Sequence, residues 1–207
     1  MTQAPLPYSG EIARKALHIG AMLLPAGMMF VDRWIALAIL APLALNAMWL
    51  DRYRLKNPAV SAWLSRNLGF MMRPDERDSH RSRVFFNGAT WVMITAFLLL
   101  LVFPARFAAP AMVIAMIADA GAALVGRKIG RLKWPGTSRT VEGTLGFLVT
   151  GALTALLFPD LPLEHRLAAV GVAALVEIPP LKVNDNVLLP FAAAATLWYL
   201  AGTPALW

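Results

Sequence analysis

Apolar residues fall in long unbroken runs divided by short charged turns, without the strict alternation of half-buried strands. The runs cover residues 16–31, 34–50, 84–103, 107–126, 141–158 and 167–178, and a last one opens with Asn184, Asp185 and Asn186 and ends near Leu200. A membrane-crossing helix needs roughly 20 apolar residues, whereas a membrane barrel would show alternating positions in short segments. The pattern predicts an all-α, polytopic integral membrane protein with about seven transmembrane helices. Asp32 and Arg33 make a tight turn, and Pro42 is expected to kink the second span. Within 60–72, Val60, Trp63, Leu64, Leu68 and Met71 recur at helical spacing, which predicts an amphipathic helix lying in the membrane interface. With no internal repeat or low-complexity stretch, residues 1–207 read as a single domain.

Seven spans set an orientation. With the N-terminus in the cytoplasm, every Lys and Arg except Arg33, Arg106 and Arg166 falls on the cytoplasmic side, as the positive-inside rule requires. The same orientation brings Glu11, Arg14, Lys15, His18, Asn87, Asp119, Glu142, Glu177 and Asp185 near the cytoplasmic ends of their spans. Polar groups from six spans then share one depth, on the side where nucleotides are found.

Composition agrees with this picture. The 207 residues are 58% hydrophobic and only 15% charged, with a mean hydropathy of +0.60. There is no cysteine, which removes disulfides, thiolate metal sites and thiol catalysis. The net charge of +7 is that of basic loops held against an anionic leaflet, not of a nucleic-acid binder. No small-x-small site follows the first apolar run, so that run is expected to be retained.

The candidate chemistry centres on residues 118–146. Asp119 lies about two helical turns inside the end of its span. An acid at that depth faces the bundle interior, either as a functional group or paired with a neighbouring Arg or Lys. Asp119, Glu142, Glu177 and Asp185 are oxygen donors suited to a hard cation such as Mg2+. Gly121, Ala122 and Gly126 permit close approach of another helix or a ligand. Between the acids stand Arg127, Lys128, Arg131, Lys133 and Arg139. These either anchor the helix at the membrane surface or, with the neighbouring glycines and with Ser138 and Thr140 before a helix start, hold phosphate. Glu11, Arg14, Lys15 and His18 share one helix face. They form an interfacial ion-pair ladder or a cationic clamp on phosphates, and His18 could be a base, a donor or a polar core residue. Glu177 before Pro179 and Pro180 can cap a span, and Asp185 with Asn186 can cap the next. Asn87 and Thr90 either pack helices or touch substrate.

Five segments in order carry a family resemblance: E-x-x-R-K-x-x-H at 11–18, F-F-N-G-A-T-W at 85–91, A-D-A-x-A-A-L-V-G-R-x-x-G at 118–130, S-x-x-x-E-G-T-x-G-F at 138–147, and V-E-x-x-x-x-x-x-x-D-N-x-x-x-P at 176–190. Together they resemble the polyprenol kinase family, which includes dolichol kinase, phytol kinase and CTP-dependent diacylglycerol kinases. The chain has Ser138-Arg139-Thr140 where the family often has Lys-Ser before its Glu-Gly pair. The related phosphatidate cytidylyltransferases share the central elements, but their closing His-Gly-Gly…Asp-Arg element is absent from this sequence.

The resemblance implies a lipid kinase that moves the γ-phosphoryl of CTP or ATP to the hydroxyl of an isoprenoid alcohol or diacylglycerol, with Mg2+. It implies Asp119 as principal metal ligand or acid/base, supported by Glu142, Glu177 and Asp185. Arg14 and Lys15, with His18 beside them, would stabilise the phosphates. Gly126, Arg127, Lys128, Lys133, Ser138, Arg139, Thr140 and Gly143 would cradle the nucleotide. Glu11, Asn87, Thr90 and Asn186 would be substrate-facing or structural. The expected setting is a prokaryotic plasma membrane with a cytoplasmic active site; a homodimer is compatible with it. A CDP-lipid synthase and a small transporter or channel are the alternatives.

Overall fold

The computed structural model describes residues 10, 12–13, 16–17, 20–70 and 86–203. Within them lie eight α-helices: α1 (Leu23–Phe30), α2 (Arg33–Lys56), α3 (Pro58–Leu68), α4 (Gly88–Val102), α5 (Ala105–Ile129), α6 (Val141–Ala155), α7 (Leu163–Glu177) and α8 (Asp185–Leu200). Among the described residues the only β pairing is an isolated bridge between Lys133 and Thr140.

Short polar side chains start most of these helices by satisfying otherwise unpaired first-turn N–H groups. Asp32 accepts from Trp34 N at 2.9 Å, and Asn57 from Ala59 N at 3.0 Å, with Pro58 at the first helical position. Asn87 accepts from Thr90 N at 3.0 Å, Thr140 from Gly143 N at 3.1 Å, and Asn184 from Asn186 N at 3.0 Å. Arg54 and Lys56 close α2, and Arg127 and Lys128 close α5, each pair opposing the negative end of the helix dipole.

α5 is the central element. It packs most extensively on α6, then on α8 and α1, and also touches α4 and α7. Its buried side is rich in alanine: Ala108, Ala109, Ala111, Ala115 and Ala118 are all buried. The α5–α6 contact is closer still. A Cβ at Gly143 would lie 3.2 Å from Ala122 O, one at Gly146 3.1 Å from Gly121 O, and one at Gly126 3.4 Å from Gly143 Cα. Small residues here let two backbones approach, as membrane helices commonly do.

By length and composition, two described helices are long and apolar enough to cross a membrane: α2, of 24 residues, and α5, of 25 residues. α4 and α6 are apolar but have 15 residues each, or about 22 Å of helix against a hydrocarbon core of about 30 Å. The seven expected spans are thus represented by two that meet the length and by shorter helices. Flanking apolar residues made up the difference: α4 starts at Gly88, after its cap, and α6 ends at Ala155. α7 instead starts at Leu163, earlier than expected, and takes in Glu164, His165 and Arg166. The amphipathic helix expected within 60–72 is present as α3.

Large apolar side chains cover much of the outside. On α6, Leu145, Val149 and Leu153 form one exposed stripe, while Gly143, Gly146, Phe147 and Gly151 are buried on the other side. Phe30 is 86% exposed and Leu175 68%. Apolar exposure on this scale, arranged as a stripe, marks a surface built for lipid; with the apolar helices it points to a membrane protein.

The helices alternate in direction, and arginines secure one end of the bundle. Arg33 Nη2 donates to Leu101 O at 3.0 Å, joining the start of α2 to the end of α4. Arg166, itself buried, donates from Nη1 to Ala155 O at 2.6 Å, joining α7 to the last turn of α6. Arg106 lies over the Phe107 ring at 4.7 Å. These are the three cations that the orientation argument left on the non-cytoplasmic side, and each has a structural contact.

Candidate active site

The opposite end of the bundle gathers the acids. It begins in the segment between α5 and α6, which folds back as a hairpin. Val141 N donates to Leu132 O at 2.8 Å and Trp134 N to Arg139 O at 3.0 Å. Gly136 supplies the turn with φ +74°. Trp134 Nε1 donates to Thr144 Oγ1 at 2.9 Å, fixing the hairpin to α6. Both Glu142 oxygens stand 3.2 Å from Leu132 N.

This hairpin presents Arg139 to two helices at once. Its Nη1 lies 2.6 Å from Glu177 Oε1, at the end of α7, and its Nη2 lies 2.5 Å from Asp185 Oδ2, at the start of α8. Glu177 is buried, while Arg139 and Asp185 are half-buried. Burial pulls the Arg139 guanidinium down, but the carboxylates of Asp185 and Glu177, with a smaller push from Asp119, outweigh it and hold it above its already high ordinary value. Asp185, Glu177 and, more weakly, Asp119 thus each act on Arg139. The structure brings Arg139, Glu177 and Asp185 into contact.

The other expected site residues are distributed differently. Glu142 fastens the hairpin through Leu132 N and is not among the charges acting on Arg139. Gly126 and Gly143 face each other across α5 and α6 with the Thr140 hydroxyl beside them: a Cβ at either glycine would be 3.0 Å from Thr140 Oγ1. Their visible work is helix packing around the α6 cap. Arg127, Lys128, Arg131, Lys133 and Ser138 are exposed at the end of α5 and in the hairpin, so four cations stand on this part of the surface. Glu11, Arg14, Lys15 and His18 lie outside the described residues.

Asn87 and Thr90 are structural, and the group they serve, Asp51, had not been singled out. Asp51 is 2% exposed. Its Oδ2 accepts from Asn87 N at 2.8 Å and from Thr90 Oγ1 at 2.6 Å, and its Oδ1 accepts from Asn87 Nδ2 at 2.8 Å. Arg54 Nε stands 2.8 Å from the same Oδ1. This latch ties the end of α2 to the start of α4. Asn186 Nδ2 then donates to Gly88 O at 3.2 Å, linking the start of α4 to that of α8, next to Asp185. A signal for the latch was present in the sequence: no helix breaker separates Leu50 from Asn57-Pro58, so Asp51 and Arg54 belong to the helix and not to a loop.

Among the described residues, no three or more His, Cys, Asp or Glu side chains converge to hold a metal ion. Magnesium, however, is commonly held by one or two carboxylates together with substrate phosphates, not by a closed protein cage. The donor chemistry of Asp119 and Asp185 fits that mode.

Comparison with known proteins agrees in part. The chain is 32% identical over 82 residues to dolichol kinase of Saccharomyces cerevisiae, covering 36% of this chain and 16% of the yeast protein. It is 27% identical over 193 residues to an uncharacterized protein of Rickettsia prowazekii, covering 89% of this chain and 92% of that one. No family profile matches, and no solved structure matches significantly. Through one local segment, the chain is similar to a polyprenol kinase-like family.

Proposed function

We propose that this protein is an integral-membrane lipid kinase that phosphorylates the hydroxyl of a lipid alcohol, an isoprenoid alcohol or diacylglycerol, from CTP or ATP. One observation carries the reading. A loop arginine is held by acids from two helices beside a third acid, at a bundle end that carries exposed Lys and Arg. The local similarity to dolichol kinase adds weight to it. In this reading the bundle crosses the bilayer about seven times with the acidic end in the cytoplasm, as the distribution of Lys and Arg favours.

Phosphoryl transfer asks a protein mainly for positioning and charge neutralisation. Arg139, oriented by Glu177 and Asp185, faces the triphosphate, and Arg127, Lys128, Lys133 and Ser138 draw it to the hairpin. Asp119 accepts the proton of the lipid hydroxyl as its oxygen bonds to the γ-phosphorus. The bond from that phosphorus to the β–γ bridging oxygen breaks, and a nucleoside diphosphate leaves. A magnesium ion held by Asp119 and Asp185 would supply further neutralisation of the phosphates. The exposed apolar stripe on α6 keeps the lipid tail within the bilayer while its head reaches the polar end.

The test is purified protein with Mg2+, each of CTP, ATP, GTP and UTP, and a panel of phytol, farnesol, polyprenol and diacylglycerol. Phosphorylated lipid with nucleoside diphosphate is the expected product. With phosphatidic acid supplied in place of an alcohol, pyrophosphate release with a CDP-lipid would replace this reading with that of a CDP-lipid synthase. Ion flux without nucleotide turnover would replace it with a transporter.

A further inference from the structure

The last two turns of α2 and the whole of α3 carry a surface that the acidic cluster does not use. Trp49, Arg52, Tyr53 and Lys56 are spaced i, i+3, i+4 and i+7 and so lie on one face of α2. All four are exposed. The Trp49 and Tyr53 rings stack, with centroids 5.1 Å apart and planes 13° from parallel. Asn57 Nδ2 donates to the Tyr53 hydroxyl at 3.1 Å, holding the ring's polar tip at the joint with α3. On α3 no residue is buried, and Trp63 and Arg66, three apart, share its outward face. From residue 52 to residue 70 there is no acid; Asp51, just before, is turned into its latch.

Rings and cations in alternation, at the end of a membrane-length helix and with no carboxylate among them, match the headgroup layer of a bilayer. Trp and Tyr settle at that depth because one end of each ring system is apolar and the other polar. Lys and Arg stems lie along apolar surface while their charges reach the phosphates. The surface also continues the exposed apolar side of α2, where Leu45 and Leu50 are exposed.

We propose that Trp49, Arg52, Tyr53, Lys56, Trp63 and Arg66 form a docking surface for anionic phospholipid headgroups, in the leaflet at the acid-bearing end of the bundle. Charge complementarity selects the occupant: a zwitterionic headgroup brings its own cation to a surface that is already cationic. The inference rests on the membrane reading and not on phosphoryl transfer. A protein that binds anionic lipid without transferring phosphate keeps this proposal and loses the other.

The chain has no cysteine, so Ala62→Cys on the exposed side of α3 can carry a single environment-sensitive fluorophore. The labelled full-length protein in nonionic detergent is titrated with short-chain phosphatidylglycerol, short-chain phosphatidylcholine, and glycerol phosphate. A blue shift with phosphatidylglycerol alone is expected, weakening as salt is raised. Each cation removed should cost roughly fivefold in affinity, so Arg52→Gln, Lys56→Gln and Arg66→Gln together should cost about a hundredfold. Arg52→Lys with Arg66→Lys should bind nearly as the wild type. An equal response to phosphatidylcholine, an equal response to glycerol phosphate, or a response of the labelled Ala62→Cys protein indifferent to salt would each overturn the proposal. The salt measurement needs only the labelled Ala62→Cys protein, so it decides the matter even if the triple variant fails to fold.

Discussion

Nη1 of Arg139 stands 2.6 Å from Oε1 of Glu177, a carboxylate with only 3% of its side chain exposed. Removing one member of such a pair leaves a charge stranded where water cannot reach it, which is why broken buried pairs are far more damaging than paired replacements. Arg139→Gln should therefore destabilise the protein by on the order of 3 kcal/mol. Adding Glu177→Gln should recover much of that loss. Thermal unfolding of the two variants in detergent measures the difference; equal losses would show that the pair is not coupled.

The same guanidinium makes a prediction about pH. Its carboxylate neighbours raise its folded-state value above the unfolded one. Its stabilisation is then fully present below the unfolded value and is lost only as pH rises through the folded one, beyond the range of any assay. A lysine, with an ordinary value of about 10.4, brings that loss within reach. Arg139→Lys, which lacks the fork that spans both carboxylates, should be less stable than the wild type near neutrality and lose more on the alkaline side, where the wild type does not.

If the lipid-kinase reading holds, Asp119→Asn keeps the shape and removes the proton acceptor. Lipid phosphorylation should fall by about a hundredfold or more, with unfolding temperature little changed. Full activity in that variant would remove Asp119 from the chemistry.

The latch at Asp51 predicts a stability effect away from the proposed chemistry. Asp51→Ala removes the carboxylate that pairs with Arg54 Nε and that accepts from the buried Thr90 hydroxyl and both Asn87 donors. A loss of about 3 kcal/mol is expected by the same reasoning. Asp51→Asn retains part of the hydrogen bonding and should lose less.

Glycine substitutions separate packing from helix propensity. A Cβ at Gly143 would sit 3.0 Å from Thr140 Oγ1 and 3.2 Å from a backbone carbonyl of α5, whereas one at Gly171 meets nothing within 4 Å. Gly143→Ala should cost about 1–3 kcal/mol. Gly171→Ala should be neutral or gain up to about 1 kcal/mol. Unfolding temperatures compared side by side check both signs.

The acids and Arg139 were legible in the sequence because polar residues in apolar runs are rare and their depths could be compared. Asp119, Glu177 and Asp185 share a depth in the pattern, and Glu177 and Asp185 meet through Arg139 in the fold. Asp51 was not legible as a buried group, since its burial depends on Asn87 and Thr90 arriving from another helix. Glu142 has the right position for the cluster, but its side chain turns back to Leu132 N, a choice set by the hairpin and not by helical spacing. The glycines of α5 and α6 announced a close approach without saying of what. The described helices are shorter than the apolar runs because those runs include caps and turns, as residues 86–87 and 156–158 show.

Asp185 opens α8, which follows every other member of the ionic cluster in the chain. During synthesis, α5 must wait in the membrane with its acid until that final partner helix emerges. The ionic cluster can therefore be completed only after its other members have been made. A chain halted before α8 would hold Arg139 with one of its two carboxylates missing.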